Sequence, residues 1–196
     1  MPYENIFKAQ TELMHKYHDI EVANNALETD KVPVDIQSRE GQARLRRFAW
    51  FITEEVVETL EAKYSIAPLQ TLHEELSDIL HFMTEWAILS GVGPQDLPEK
   101  LALGSKEFAF LTRNSEYTQK ASEVVYWVGH AISLLKGKPW KQSYKPTDEA
   151  EYQNRVVRAY EALLTLMHHS GIDIDDLDPV YFRKNEINQS RIQGGY

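Results

Sequence analysis

An all-α helical bundle is the fold this sequence predicts, and three observations predict it. Apolar residues recur with helical spacing along most of the chain, and strict alternation of β-branched residues appears nowhere over a useful length. The nine Gly and eight Pro of the 196 residues, below average usage, cluster at a few points between long periodic stretches.

Taken in order, the first helix is expected over 3–27, on a stripe of Ile6, Phe7, Leu13, Met14 and Tyr17, with Pro33 in the break that follows. The second, over 41–64, carries Phe48, Phe51, Ile52 and Ala62 on one side. Pro68 suits the first turn of a third helix over 68–90, which Gly91-Val92-Gly93-Pro94 ends. A fourth is expected over 98–112, a fifth over 115–136 stopped by Gly137-Lys138-Pro139, and a sixth over 148–170. From Asp178 on the chain reads as a polar, helix-poor tail. The whole is one domain over 1–196, with a first half to about 112, a second helical half over 113–178 and the tail over 179–196.

The two halves look like a degenerate duplication. Ser90-Gly91-Val92 followed by Asp96-Leu97 is echoed by Ser170-Gly171-Ile172 followed by Asp176-Leu177, and Glu55-Val56-Val57-Glu58 by Glu123-Val124-Val125-Tyr126. Glu75 and Asp78 of the first copy then align with Arg155 and Arg158 of the second, which would turn a lost acidic site into a basic wall facing the first.

Composition excludes several classes. A net charge of −9 argues against a general nucleic-acid surface, which needs a basic face. There is no apolar run near 18 residues and no basic-then-apolar start, so neither a membrane span nor a signal peptide is expected. The absence of cysteine removes disulfides, thiolate nucleophiles and Cys-type zinc sites, and fits a cytoplasmic location.

The strongest chemistry is Glu54-Glu55-x-x-Glu58 on one helix and Glu75-x-x-Asp78 on the next. At ~100° per residue, an i, i+3 pair lies on one side of a helix and can aim two carboxylates at one point. Glu55 and Glu58 fall on the apolar stripe of their helix. Glu75 lies between Phe82 and Trp86, with Asp78 at that stripe's edge. Four carboxylates turned inward need compensation, and a hard divalent cation supplies it; all-oxygen ligation favours Mg²⁺ or Mn²⁺ over zinc. A lone ExxE would read as a surface pair. A di-iron bundle needs a Glu-x-x-His pair on each of two helices, and only Asp78-x-x-His81 comes near, with His81 read onto the polar face beside Glu74.

These residues resemble the all-α nucleoside triphosphate pyrophosphohydrolases, whose EExxE helix is followed by an ExxD helix. The C-terminus narrows the resemblance to the dimeric dUTPases and related phage dUTPase/dCTPases, which carry a pattern close to KNxxNxxRQxxGY: here stand Lys184-Asn185, Asn188, Arg191 and Gly195-Tyr196. The resemblance implies a homodimer acting on a nucleoside triphosphate, with attack by Mg²⁺-activated water between the α and β phosphates and with Glu55, Glu58, Glu75 and Asp78 as ligands.

On this reading Gln10, polar within an apolar stripe, recognises the base. Lys141, in the loop GKPWKQSYK, and Lys184, Asn185, Asn188, Arg191 and Tyr196 bind the rest of the substrate, the tail being mobile when empty and ordered by a triphosphate. The chain departs from the family at Met14 (usually Asn), at Ile192 (usually Gln) and in a shorter connection between the acidic helices that lacks Trp. These changes leave the metal ligands in place and bear on a strict uracil preference. The sequence therefore reads as a Mg²⁺-dependent hydrolase of a pyrimidine deoxynucleoside triphosphate, dUTP first and dCTP second. A broader house-cleaning pyrophosphohydrolase is the rival enzyme. A non-catalytic helical module is the rival of another class, against which the retained acids speak.

Overall fold

The computed structural model describes residues 3–66, 68–100, 116–138, 140–142 and 145–195. Six α-helices are described: α1 (Glu4–Ala23), α2 (Arg39–Tyr64), α3 (Leu69–Leu89), α4 (Glu116–Leu134), α5 (Glu149–His169) and α6 (Leu177–Gly194). No strand occurs among the described residues. The helix expected over 98–112 lies, from residue 101 on, outside them.

Local chemistry accounts for the helix ends. The Ser38 hydroxyl accepts the Gly41 N–H at 2.9 Å at the start of α2, and the Asp148 carboxylate accepts the Glu151 N–H at 3.1 Å at the start of α5. One helix-end motif is built twice, at the two places where the sequence repeats Ser-Gly and Asp-Leu. After α3 the Gly91 N–H reaches the Ile88 carbonyl and the Val92 N–H the Ala87 carbonyl; after α5, Gly171 and Ile172 do the same to His168 and Met167. This six-to-one closure needs a left-handed residue, and the two glycines stand at φ 76° and 83°. A 3₁₀ turn follows each, Pro94–Asp96 and Ile174–Asp176, where the carboxylate of Asp96 or Asp176 accepts the backbone N–H three residues earlier.

The helices pair as α2 with α3 and α4 with α5, and α3 is the central element, touching α1, α2, α5 and α6. Its sequence explains that position: Leu76, Ile79, Leu80, Met83, Trp86 and Ala87 are fully buried around most of the helix. Tyr152 packs edge-on against Trp86.

One expectation fails in an instructive way. The stretch from Asp178 is no helix-poor tail but α6, docked on α1 and α3. It buries only Leu177, Tyr181 and Asn185, one residue per turn, so its apolar stripe is too thin to read from periodicity. Its docking also corrects the reading of His81. The face of α3 taken as polar is covered by α6, and the buried His81 ring stacks on Tyr181 with centroids 4.0 Å apart and planes 9° from parallel.

Candidate metal and nucleotide site

Glu55 on α2 and Glu75 and Asp78 on α3 each place a ligand atom within 4.8 Å of the other two. All three are partly buried. Glu58 is exposed and stands outside this trio, although its charge still acts on Glu55 and Glu75; it lines an open groove with Trp50, Glu54 and Glu61. The inward-turned quartet expected from the two i, i+3 pairs is thus a trio with a fourth carboxylate at its edge.

The trio is short of positive charge. Burial first, then the charges of Asp78, Glu58 and Glu75, push the Glu55 carboxyl up to about 8. Burial likewise raises Glu75 and Asp78, each with neighbouring acids adding to it. Lys184 of α6 opposes all three shifts, its ammonium 2.5 Å from the Asp78 carboxylate. The Lys184 ammonium, joined at Asp78 by the charge of Arg191, still leaves a negative surplus against this many carboxylates, and the donors are all oxygen. Both facts fit a hard divalent cation.

This surplus makes stability depend on pH with a definite sign. Folded Glu55 keeps its proton to about pH 8, whereas the unfolded chain releases it near 4.5, so ionisation favours the unfolded state increasingly across that interval. Glu85, held up to about 7 chiefly by burial, acts in the same direction. His81, pushed down to about 4 by burial, acts the other way and only below its unfolded value of 6.5. The metal-free protein should therefore lose melting temperature as pH rises from about 6.5 to 8. Scanning calorimetry checks this: Glu55→Gln should flatten the slope, and an equal slope in that variant would exclude the trio as its source.

A cavity of about 340 Å³ adjoins this trio at Glu55 and Asp78. Glu55 and Asp78 line it together with Lys184, Asn188 and Arg191 of α6. Phe48, Phe51 and Phe82 give it an aromatic wall, packed on one another at 5.2 to 6.3 Å between centroids. Gln10 and Glu85 also line it. The Gln10 amide is fixed on both sides: its Nε2 donates to Glu85 at 2.9 Å, and its Oε1 accepts the Tyr181 hydroxyl at 2.7 Å. Asn185 donates to that hydroxyl at 3.3 Å and accepts from Gln189 at 2.5 Å, and Lys16 donates to Gln189 at 2.8 Å. Donors thus point one way along the whole chain, from Lys16 to Glu85.

The structure sorts the remaining expected residues. Asn185 is buried and spends its amide in this chain rather than lining the cavity. Lys141 is exposed on a loop whose carbonyl accepts from Arg39, at the start of α2 and about 24 Å along that helix from Glu55. Arg155 and Arg158 do not face the trio: Arg155 pairs with Glu151 and lies over the Trp127 ring, and Arg158 pairs with Glu161 at 2.8 Å. Tyr196 lies outside the described residues. Glu85 escaped sequence reasoning, although an acid flanked by Met83, Thr84, Trp86 and Ala87 in an apolar helix was a usable signal.

Carboxylates gathered at the mouth of a nucleoside-sized cavity, within a bundle built of helices, mark the chain as an all-α nucleoside triphosphate pyrophosphohydrolase. A family model described as dUTPase matches residues 62–196, well over half the chain, and the chain belongs to that family. The match takes in Glu75, Asp78 and all of α6 and begins after Glu55 and Glu58. Comparison with curated proteins returned no match, and comparison with solved structures returned none.

Proposed function

We propose that this chain hydrolyses a pyrimidine deoxynucleoside triphosphate, dUTP first and dCTP second, between the α and β phosphates, in a reaction that requires Mg²⁺. The observation that carries this reading is one cavity lined by Glu55 and Asp78 of the acidic trio, by the cations Lys184 and Arg191, and by the fixed amide of Gln10.

Glu55, Glu75 and Asp78 would hold the cation, and Mn²⁺ suits the same oxygens. Bound there, the ion neutralises phosphate charge and acidifies water. The rest falls to the protein. Lys184 and Arg191 attract the phosphates, and Lys184 exchanges its contact with Asp78 for one with the substrate. Glu58, exposed and with its charge acting on Glu55, would accept a proton from the attacking water. Phe48, Phe51 and Phe82 take the flat apolar faces of the nucleoside and exclude water, while Gln10 offers its amide to the base edge.

A homodimer in the cytoplasm goes with this reading. On α2, Trp50, Val57 and Tyr64 are 62%, 50% and 60% exposed at seven-residue spacing, an apolar row suited to a second copy. No helix among the described residues is long and apolar enough to cross a membrane.

A screen of the common dNTPs and NTPs with Mg²⁺, scored by pyrophosphate release, tests the assignment. Release from dUTP or dCTP, abolished by EDTA, is the expected result. Preference for purine or modified nucleotides would point to house-cleaning, and no release from any nucleotide would sink the enzymatic reading.

A further inference from the structure

We propose that Glu85 is a specificity-determining residue of the cavity, accepting a hydrogen bond from the 4-amino group of cytosine and thereby admitting dCTP beside dUTP. The inference rests on the reading that this cavity takes a pyrimidine nucleotide.

Three features of the structure single out Glu85. Its side chain is 13% exposed, and what remains open faces the cavity it lines with Gln10. Its oxygens are only half used: Oε2 accepts from Gln10 at 2.9 Å, whereas the Arg44 guanidinium stands 3.9 Å from Oε1, an ion pair too long for a hydrogen bond. It is also surplus to the ionic network behind it. There Arg44 binds Glu21 at 3.2 Å and the Thr29 carbonyl at 2.6 Å, and Arg47 binds Glu21 at 2.7 Å and Glu28 at 3.1 Å. Among these described residues Glu21, Glu28 and Glu85 face two guanidinium groups, so the wall beside the cavity carries excess negative charge.

The hydrogen-bond chain sets the pattern this wall presents. Gln10 gives its oxygen to the Tyr181 hydroxyl and one N–H to Glu85 Oε2, and among the described residues neither its second N–H nor Glu85 Oε1 has a hydrogen-bond partner. An acceptor therefore stands next to a donor. Cytosine matches that pair edge to edge: N4–H donates to the carboxylate, and N3 accepts from Gln10. A carboxylate accepting from cytosine N4 is a recurrent pairing for the same reason. Uracil meets the same wall less well. Its one edge donor, N3–H, lies between O2 and O4, so a carboxylate that accepts from it is brought against two further acceptors, only one of which Gln10 can satisfy. The charge that welcomes an amino group thus handicaps a carbonyl, and dUTP binds in spite of Glu85 rather than through it.

The test compares kcat/KM for dCTP and dUTP in the wild type and in Glu85→Gln, at one Mg²⁺ concentration and at a pH well above the value of about 7 to which burial lifts the Glu85 carboxyl, so that it is ionised. A glutamine at this position removes the negative charge and adds an N–H able to meet O4, so the dCTP-to-dUTP ratio should fall by about tenfold or more. Glu85→Asp keeps the charge near Arg44 but withdraws the oxygen by one methylene, and it should lower the ratio as well; it carries the test if the glutamine variant melts too low to assay. Affinities for dCMP and dUMP, measured by calorimetry, should shift in the same sense without any turnover. A ratio unchanged in both variants, with both substrates losing equally, would overturn the proposal and leave Glu85 as a structural partner of Gln10. So would a wild type that cleaves dUTP and leaves dCTP untouched, although the pyrophosphohydrolase reading would then stand. Absence of release from either nucleotide, with dCMP and dUMP binding equally in wild type and variants, would defeat both.

Discussion

Glu55→Gln and Asp78→Asn are each expected to lower turnover by at least about a hundredfold while leaving the helix content unchanged. Loss of a group that merely orients a metal ligand typically costs 10- to 100-fold, and on the proposed reading these two residues would supply ligand oxygens themselves. Helix content should hold because both side chains meet at the mouth of the cavity rather than in the packed core around Trp86. Stability should move against activity. Glu55 sits among Asp78, Glu75 and Glu58, so a neutral amide relieves repulsion, and the metal-free melting temperature of Glu55→Gln should exceed that of the wild type above neutral pH. Added Mg²⁺ should raise the wild type more than the variant. Steady-state rates, circular dichroism and thermal melts with and without EDTA decide the matter together. A near wild-type rate in either variant, or full activity in EDTA, would remove the trio from the reaction.

How far the sequence reached can be argued from individual residues. Helices α2, α3, α4 and α5 were legible to within about two residues because apolar periodicity, Pro68, Gly91, Gly137 and Gly171 marked the same boundaries. The approach of Glu55 to Glu75 and Asp78 followed from wheel positions on two helices that pack together. What failed depended on elements the wheels could not see. Placing His81 required knowing that α6 covers that face of α3. Excluding Lys141, Arg155 and Arg158 from the site required their partners, since a cation's direction is set by whichever carboxylate or ring lies within reach. Gln10 was singled out for being polar within an apolar stripe, yet its partners come from α3 and α6, far off in sequence, and only the fold supplies Glu85 and Tyr181.

Deleting residues 180–196 should unfold or severely weaken the protein, contrary to what a polar tail would do. The deletion removes Tyr181, fully buried and stacked on His81, and with it the hydroxyl that holds the Gln10 oxygen. It also strips the cover from α3 at Ser77, whose hydroxyl donates to the Val180 carbonyl at 3.2 Å, and breaks the Lys16–Gln189 contact to α1. Truncating one buried aromatic side chain to Ala costs about 3 to 5 kcal/mol, a large share of the ~5 to 15 kcal/mol that holds a domain together. Loss of activity in such a deletion would therefore say nothing about the site. Lys184→Met separates the two roles, since it keeps α6 and removes only the ammonium beside Asp78. That variant should fold with α6 intact, show a lower metal-free melting temperature because the trio loses its counter-charge, recover much of that difference with Mg²⁺, and bind its triphosphate with a raised KM. Hydrogen exchange gives the independent reading. Amides of residues 181–194 should be protected in the nucleotide-free protein. Complete exchange of that stretch within seconds, followed by protection once Mg²⁺ and a non-hydrolysable nucleotide are added, would mean that α6 forms on the substrate and that its docking is a consequence of binding.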